Sequence, residues 1–227
     1  MPRAESPEPG AGSRQALRQG WVSPRVAGEF PGLGIASIEV EGGARRSPEP
    51  IRVRLRELSD RFYGSHAVHM RERPIPWAYR VFFRQIGLDP DSTRTPIEAL
   101  ALRRLEDGAF KSHGLPDDAL AIATAETGVA LSAYDAGSLT GALCIRDTAP
   151  GESLAGRRGQ LPAGALVVAD ERDPISLLFG ERAEGREVQR GTRRTVLAAV
   201  RVNGVPEIAV DEALRLAAEA IQAAHGP

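Results

Sequence analysis

Two neighbouring carboxylates, Asp117 and Asp118, stand at the start of a stretch with helical composition. Carboxylates at this position either cap the helix or remain available to bind the ammonium group of a ligand. His113 lies four residues earlier in a polar loop, where it is either a solvent-exposed side chain or part of the same site. The residues alone leave these alternatives open, because no nucleophile with a neighbouring base stands out in the chain.

The histidines and glycines do not form a recognisable cofactor site. His66 and His69 are three residues apart, but no nearby cysteine, histidine or acidic residue completes a zinc site. Gly32 and Gly34 are followed by a strand pattern instead of a helix, which excludes a dinucleotide-binding fingerprint. We therefore expect neither a metal nor another cofactor.

The strongest local group of positive charge consists of four arginines, Arg71, Arg73, Arg80 and Arg84. Arg80 and Arg84 are four residues apart, which places them on one face of a helix. The group either binds the phosphates of a nucleic acid or forms a solvated surface with Glu72 and Asp89. The net charge of −1 argues against a protein that coats polyanions generally, so an RNA contact has to be local.

The composition is that of a globular protein in a reducing compartment. Of 227 residues, 42% are hydrophobic, and the single cysteine, Cys144, excludes an internal disulfide. No apolar run reaches the roughly 20 residues of a membrane span, and the start of the chain lacks the apolar segment of a signal peptide. We expect a cytoplasmic protein in which residues 1–20 form a disordered tail and residues 21–227 form one domain.

Hydrophobic periodicity predicts helices first and strands afterwards. Helical spacing and capping residues predict helices over 51–62, 77–86, 95–108, 117–127 and 212–224. Apolar runs and alternation predict strands over 34–40, 129–134, 142–146, 165–169, 175–179, 195–202 and 208–210. This order indicates the α+β class, with one mixed α/β domain.

A series of short segments follows these elements in a fixed order. The segments are DDAL at 117–120, GVALSAYD at 128–135, GALCIR at 141–146, PGE at 150–152, LVVAD at 166–170 and TRRTVL at 192–197. In order and spacing they resemble the B3/B4 editing module in the β chain of bacterial phenylalanyl-tRNA synthetase. The resemblance is strongest over residues 70–202 and extends to free-standing members of that family.

The resemblance implies a domain with a pocket in which a mischarged aminoacyl-tRNA is hydrolysed. An aminoacyl ester is already activated, so hydrolysis requires a positioned water, a stabilised oxyanion and a held substrate amine. The terminal ribose hydroxyl beside the ester can assist, which makes a strong protein nucleophile unnecessary. The implied partner is tRNA, with no DNA, no membrane and no indicated oligomeric state. A non-catalytic tRNA- or amino-acid-binding module of the same fold is the alternative.

Candidate site residues follow from this resemblance and from residue chemistry. The candidates for catalysis are Ser132 and Asp118. The candidates for the substrate pocket are Glu98, Lys111, His113, Asp117, Tyr134, Asp135 and Thr192. Among them, Glu98 either serves a cationic substrate side chain or is simply favoured in the first turn of its helix. The candidates for tRNA binding are Arg71, Arg73, Arg80 and Arg84.

Three positions depart from the family pattern. Ser132 stands where the synthetase module has a histidine, and Ala198 stands where it has a glutamate. Both family residues act in tyrosine editing, so neither tyrosine specificity nor a His/Glu mechanism carries over. Lys111 aligns with an arginine at the pocket entrance and keeps its charge but not its planar fork. Ser132 either orients a carbonyl or a water, or packs as a small strand residue.

Overall fold

One antiparallel sheet forms the centre of the molecule. The computed structural model describes residues 16–62 and 69–223. The strand order is β1 (Arg18–Gln19), β3 (Gly34–Glu41), β8 (Arg194–Arg201) and β4 (Ala130–Asp135). Every residue of β3 pairs with β8, and every residue of β4 pairs with β8 on its other side. The long central strand β8 therefore fixes the register of both neighbours.

A second sheet lies beside the first and is joined to it by a side-chain contact. It contains β2 (Trp21–Val22), β5 (Cys144–Asp147), β6 (Leu166–Ala169) and β7 (Pro174–Leu177). The pairing of β2 with β5 is parallel, whereas the other pairs are antiparallel. The hydroxyls of Tyr134 in β4 and Ser176 in β7 are hydrogen-bonded at 3.0 Å, which holds the two sheets together.

Two helices pack on the central sheet, and a third packs on one of them. Helices α5 (Asp117–Thr127) and α6 (Glu207–Ala223) lie side by side against the sheet, and α2 (Glu49–Arg61) packs against α5. Helix α6 buries an apolar stripe at helical spacing, consisting of Ala213, Leu214, Ala217, Ala218 and Ile221. Burial of this stripe is the main reason that α6 is stable in this position.

The remaining helices are α1 (Pro24–Glu29), α3 (Pro74–Gln85) and α4 (Pro96–Asp107), with 3₁₀ turns at Met70–Glu72 and Ala136–Ser138. Tyr79 fixes α3 to the central sheet, since its hydroxyl donates to the Val200 carbonyl at 2.5 Å and accepts from the Ala130 amide at 3.1 Å. Burial raises the pKa of the Tyr79 phenol. Within residues 16–62 and 69–223, no helix is long and apolar enough to cross a membrane.

The ends of α4 and α5 agree with the sequence prediction. Thr95 and Glu98 form a capping box at the start of α4, and Gly108 ends that helix in the left-handed conformation at φ 76°. Helix α5 has the predicted bounds, and Gly128 ends it at φ 78°. The predicted α+β class is confirmed by the mixture of helices with two four-stranded sheets.

The segment that contains β1 and β2 belongs to both sheets. β1 pairs with β3 of the central sheet, and β2 pairs with β5 of the second sheet. Gly20 joins them at a place where a Cβ atom would collide with the Leu143 carbonyl oxygen. The tail predicted over residues 1–20 thus overlaps β1, and residues 1–15 of that tail lie outside the described residues.

The predicted strand at 208–210 is wrong, because these residues form the first turn of α6. The Ala209 and Val210 amides both donate to the Pro206 carbonyl, and the Ile208 side chain is 74% exposed. An apolar run of three residues does not distinguish a strand from a helix start, and the preceding proline favours the helix.

Candidate functional site

A cavity of about 540 Å³ opens between β4, helices α4 and α5, and the turn after β7. We call it the first cleft. Ala130, Ser132 and Tyr134 line it together because alternate residues of a strand share one face. About half of its other walls are apolar, including Leu100, Phe110, Leu120, Val168, Leu177 and Phe179, and most of the rest are charged, with five basic residues and three aspartates. Its volume lies within the range of ligand pockets, about 300–1,000 Å³.

Ser132 and Ala198 are direct cross-strand partners in this sheet. They are the two strand positions at which the chain departs from the family pattern. Because paired residues lie on the same face, two small side chains stand together where the synthetase module has two long polar ones. Among the described residues, the Ser132 hydroxyl has no hydrogen-bond partner, so it is free to contact a ligand in the first cleft.

Tyr134 lines the first cleft but its polar group is engaged by the protein. Its hydroxyl bonds to Ser176, and the guanidinium of Arg182 lies 5.2 Å from the centre of its ring. At this distance the cation is attracted to the ring face. Sequence reasoning missed Arg182, which nonetheless lines the cleft beside Tyr134.

Of the two aspartates at the start of α5, Asp117 is the one available to a ligand. Asp118 is 1% exposed, and its oxygens accept from the Ser112 hydroxyl at 2.5 Å and from the His113 amide at 2.8 Å. Asp118 thus holds the loop before α5 and also lines the first cleft, and its catalytic role stays a prediction. Asp117 and His113 are exposed and line the first cleft.

Lys111 is exposed and lines the first cleft, and its role at an entrance stays a prediction. Its ammonium group is 2.5 Å from a carboxylate oxygen of Asp107, which also lines the cleft. Surface pairs of this kind are weak, so the lysine can exchange Asp107 for a ligand carboxylate or phosphate at small cost.

Glu98 and Arg80, which were predicted in the substrate pocket and in the tRNA-binding group, bind each other in the structure. An Arg80 nitrogen lies 2.5 Å from Glu98, whose other oxygen accepts from the Thr95 hydroxyl at 2.7 Å. A second Arg80 nitrogen donates to Asp91 at 2.7 Å. The Arg80 and Glu98 side chains are only 5% and 9% exposed. Glu98 therefore does not face the first cleft, and Arg80 does not present its guanidinium to a tRNA.

The other three arginines of the predicted tRNA-binding group are exposed on the surface around α3. The Arg84 guanidinium lies 5.7 Å from the ring centre of Trp77, which is half exposed, while Arg71 and Arg73 precede α3. None of the three lines the first cleft. Whether they contact RNA stays a prediction.

Asp135 and Thr192 lie away from the first cleft and stabilise loops. The Thr192 hydroxyl donates to Asp135 at 2.7 Å and accepts from the Gln189 amide at 3.0 Å. Asp135 also accepts from the Gly137 amide at 2.9 Å. The structure therefore brings these two predicted pocket residues together, but as supports of the loop before β8.

A second cleft of about 690 Å³ adjoins the first. His113, Asp117 and Arg182 line both clefts, so the two share one boundary. The second cleft is walled by the loops at 44–46 and 187–190 and by the segment at 112–117. Five of its fifteen lining residues are arginines, which are Arg45, Arg46, Arg52, Arg182 and Arg190.

Phe179, which lines the first cleft, has a strained backbone. Its φ of 60° lies in the left-handed region, where a bulky side chain is rare and the cost is about 1–3 kcal/mol. Contacts with the rings of Tyr79, Phe82 and Phe83 hold it there. Strain that is maintained by packing is found often at ligand sites, and no signal in the sequence indicated it.

A metal site was not expected from the sequence. Within residues 16–62 and 69–223, no group of three or more histidines, cysteines, aspartates or glutamates is arranged to hold a metal ion. His69 is among these residues, whereas His66 lies outside the described part.

No protein-family model matches this chain. It is 31% identical over 140 residues to the phenylalanine–tRNA ligase β subunit of Streptomyces avermitilis, which covers 59% of the chain and 16% of that protein. It is 29% identical over 145 residues to the same subunit of Tropheryma whipplei (strain Twist), covering 63% of the chain and 14% of that protein. The chain is thus related to part of this β subunit. It spans about one sixth of the length of these curated relatives.

Proposed function

We propose that this chain hydrolyses the ester of a mischarged aminoacyl-tRNA, acting as a separate deacylase with the first cleft as its active site. The observation that carries the proposal is the cavity of about 540 Å³ beside Ser132 and Tyr134, at the strand that the family resemblance singled out. The relation to part of the phenylalanine–tRNA ligase β subunit supports a role with tRNA. A solidly packed cleft would have left no room for an aminoacyl group.

The exposed groups of the first cleft have chemistry that suits an aminoacyl ester. Asp117 is an exposed carboxylate that can hold the substrate ammonium group by a charge-assisted hydrogen bond. The free Ser132 hydroxyl can donate to the ester carbonyl or orient the attacking water. No protein nucleophile is required, since the ester is activated and the neighbouring ribose hydroxyl is available.

The cleft favours an uncharged substrate side chain. Glu98, the carboxylate that would have suited a cationic side chain, is bound to Arg80 and Thr95. Each Asp118 oxygen already accepts one hydrogen bond, from the Ser112 hydroxyl or the His113 amide. The apolar stretches of the wall favour a neutral side chain, because a charged one placed against Leu100, Phe110 or Val168 would lose its hydration without gaining a partner there.

The proposal is tested by incubating the purified chain with a full panel of correctly and incorrectly charged tRNAs and measuring release of the amino acid. We expect hydrolysis of at least one mischarged tRNA whose amino acid has an electrically neutral side chain. Ser132→Ala should lower kcat/KM about tenfold, as one hydrogen bond to a developing charge is worth roughly 1.4 kcal/mol. Asp117→Asn should raise KM by a similar factor.

Ser37→Ala is the matched control, because Ser37 is a half-buried serine of the same sheet that does not line the first cleft. Its rate should equal that of the unsubstituted chain. Absence of release from every tRNA in the panel at micromolar protein would reject the proposal.

A non-catalytic binding module is the second candidate. It is favoured by the Ser132–Ala198 pair, which lacks the two functional side chains of the synthetase module. In that case, aminoacyl-tRNA should bind with an unchanged ester half-life, and Ser132→Ala should alter affinity alone. Measurement of binding and ester decay in the same samples separates the two functions.

A further inference from the structure

The second cleft carries an excess of positive charge on fewer lining residues than the first cleft, which has five basic residues and three aspartates. Five arginines line it against two carboxylates, Asp117 and Glu187. The chain as a whole has a net charge of −1, so this excess is local. A concave surface of one sign concentrates ligands of the opposite sign.

Two of these arginines form no ion pair with the described residues. Arg46 and Arg190 are exposed, and neither forms an ion pair with any residue of the described ranges. Arg52, in contrast, is paired with Glu49. The Arg182 guanidinium lies 5.2 Å from the centre of the Tyr134 ring, and a guanidinium over an aromatic face can still donate its N–H groups to a ligand.

The loops that carry Arg46 and Arg190 are fastened to each other. The Ala44 amide donates to the Gln189 carbonyl at 3.0 Å, and the Gly42 amide donates to the Arg193 carbonyl at 2.7 Å. Gly43 permits this approach, since a Cβ atom there would collide with the carbonyl oxygens of Gln189 and Thr192. A site held in this way loses little conformational entropy when a ligand binds.

The boundary that the second cleft shares with the first indicates which anion the second cleft can bind. It meets the first cleft at His113, Asp117 and Arg182. If an amino acid occupies the first cleft, its ester and ribose lie at this boundary, and the polynucleotide has to leave through a neighbouring space. Arginines bind phosphodiester oxygens with a planar pair of donors.

Resting on the proposed deacylase function, we propose that the second cleft binds the phosphodiesters at the 3′ end of the tRNA through Arg46, Arg182 and Arg190. The RNA strand enters over the fastened loops and its terminal ribose reaches the boundary beside Asp117. The exposed arginines around α3 are then outside the path of the 3′ strand.

The test measures the affinity of uncharged tRNA, intact or lacking its three terminal nucleotides, over a series of salt concentrations. In the unsubstituted chain, trimming the 3′ end should weaken binding. Arg46→Gln and Arg190→Gln should each weaken binding of intact tRNA about tenfold and flatten the salt slope by roughly 0.7. The double variant should no longer distinguish intact from trimmed tRNA.

Arg215→Gln is the matched control, because Arg215 is an exposed arginine on α6 that lines neither cleft. It should bind as the unsubstituted chain does. Equal losses on trimming in the double variant and in Arg215→Gln would overturn the inference. That failure differs from failure of the proposed function, because the binding assay uses no ester: an active deacylase with unaffected Arg46 and Arg190 variants rejects this inference alone.

Discussion

The two clefts share a boundary but are built from different kinds of structure. The first is walled mainly by a strand and two helices, with apolar side chains for about half of its lining, whereas the second is walled mainly by loops, and a third of its lining residues are arginines. Regular elements place Ser132 by sheet register, and loops place Arg46 and Arg190 by close backbone contacts. In our proposals, the first cleft binds the aminoacyl group through its shape and its polar side chains, and the second cleft binds the RNA through its positive charge.

A side chain that fills the first cleft is expected to have the largest effect, and it tests whether the two clefts act separately. Ser132→Leu adds an apolar side chain on the face that lines the cavity, so it should lower kcat/KM for the aminoacyl ester at least a thousandfold, about 4 kcal/mol. Affinity for uncharged tRNA should change less than threefold. A parallel loss of tRNA binding would show that the two clefts do not act separately.

Arg80→Ala and Arg84→Ala test whether the arginines of α3 bind tRNA in addition to the second cleft. Arg80→Ala leaves Glu98 buried without its cation, so the free energy of unfolding should fall by about 3 kcal/mol in urea titrations. The exposed Arg84→Ala should change it by less than about 0.5 kcal/mol. Both should retain the salt slope of tRNA binding. A flatter slope in a stably folded Arg84→Ala would move RNA binding toward α3.

A charge pair outside both clefts gives the reference for a purely structural arginine. Arg146 donates to both carboxylate oxygens of Glu152 at 2.8 and 2.5 Å, which lowers the pKa of Glu152. Since the folded pKa is below the unfolded one of about 4.3, the stabilisation is present above that pH and disappears as the pH falls through the folded pKa.

Glu152→Gln should therefore lower the free energy of unfolding by about 1.5 kcal/mol at neutral pH. The difference from the unsubstituted chain should vanish in acid, and tRNA affinity should be unaffected at neutral pH. A difference that persists unchanged in acid would assign the effect to packing instead of charge.

The smallest expected effect concerns the support of the arginine loops. Thr192→Val keeps the shape of the side chain but removes its hydrogen bonds to Asp135 and Gln189. Looser loops should weaken tRNA binding about fivefold, corresponding to roughly 1 kcal/mol. An equal loss in Arg46→Gln alone and in the combined variant would indicate that Thr192 acts through the arginine position.

The regular elements were predictable because their signals are local. The start of α4 carries Thr95 with Glu98, and α5 lies between Asp117 and Gly128, so periodicity and caps agree with the observed bounds. The prediction of a strand at 208–210 was wrong because three apolar residues are too few to show a strand or a helix period.

The site was less predictable because its members come from distant parts of the chain. Arg46, Arg182 and Arg190 form no cluster in the sequence, whereas the four arginines near α3 do. The pairing of Arg80 with Glu98, eighteen residues away, requires the tertiary fold. Several segments of the family series also proved structural: Asp170 accepts backbone hydrogen bonds, and Thr192 supports a loop. The resemblance named residues that line the first cleft together with residues that support loops, and it did not distinguish the two groups.

The short segment Arg18–Val22 connects the two sheets and lines neither cleft. Because it pairs with β3 on one side and with β5 on the other, a protease cut at Gly20 would remove one of the connections between the sheets that contribute Tyr134 and Ser176. In the proposed deacylase, turnover is then expected to fall although no atom is removed from either cleft.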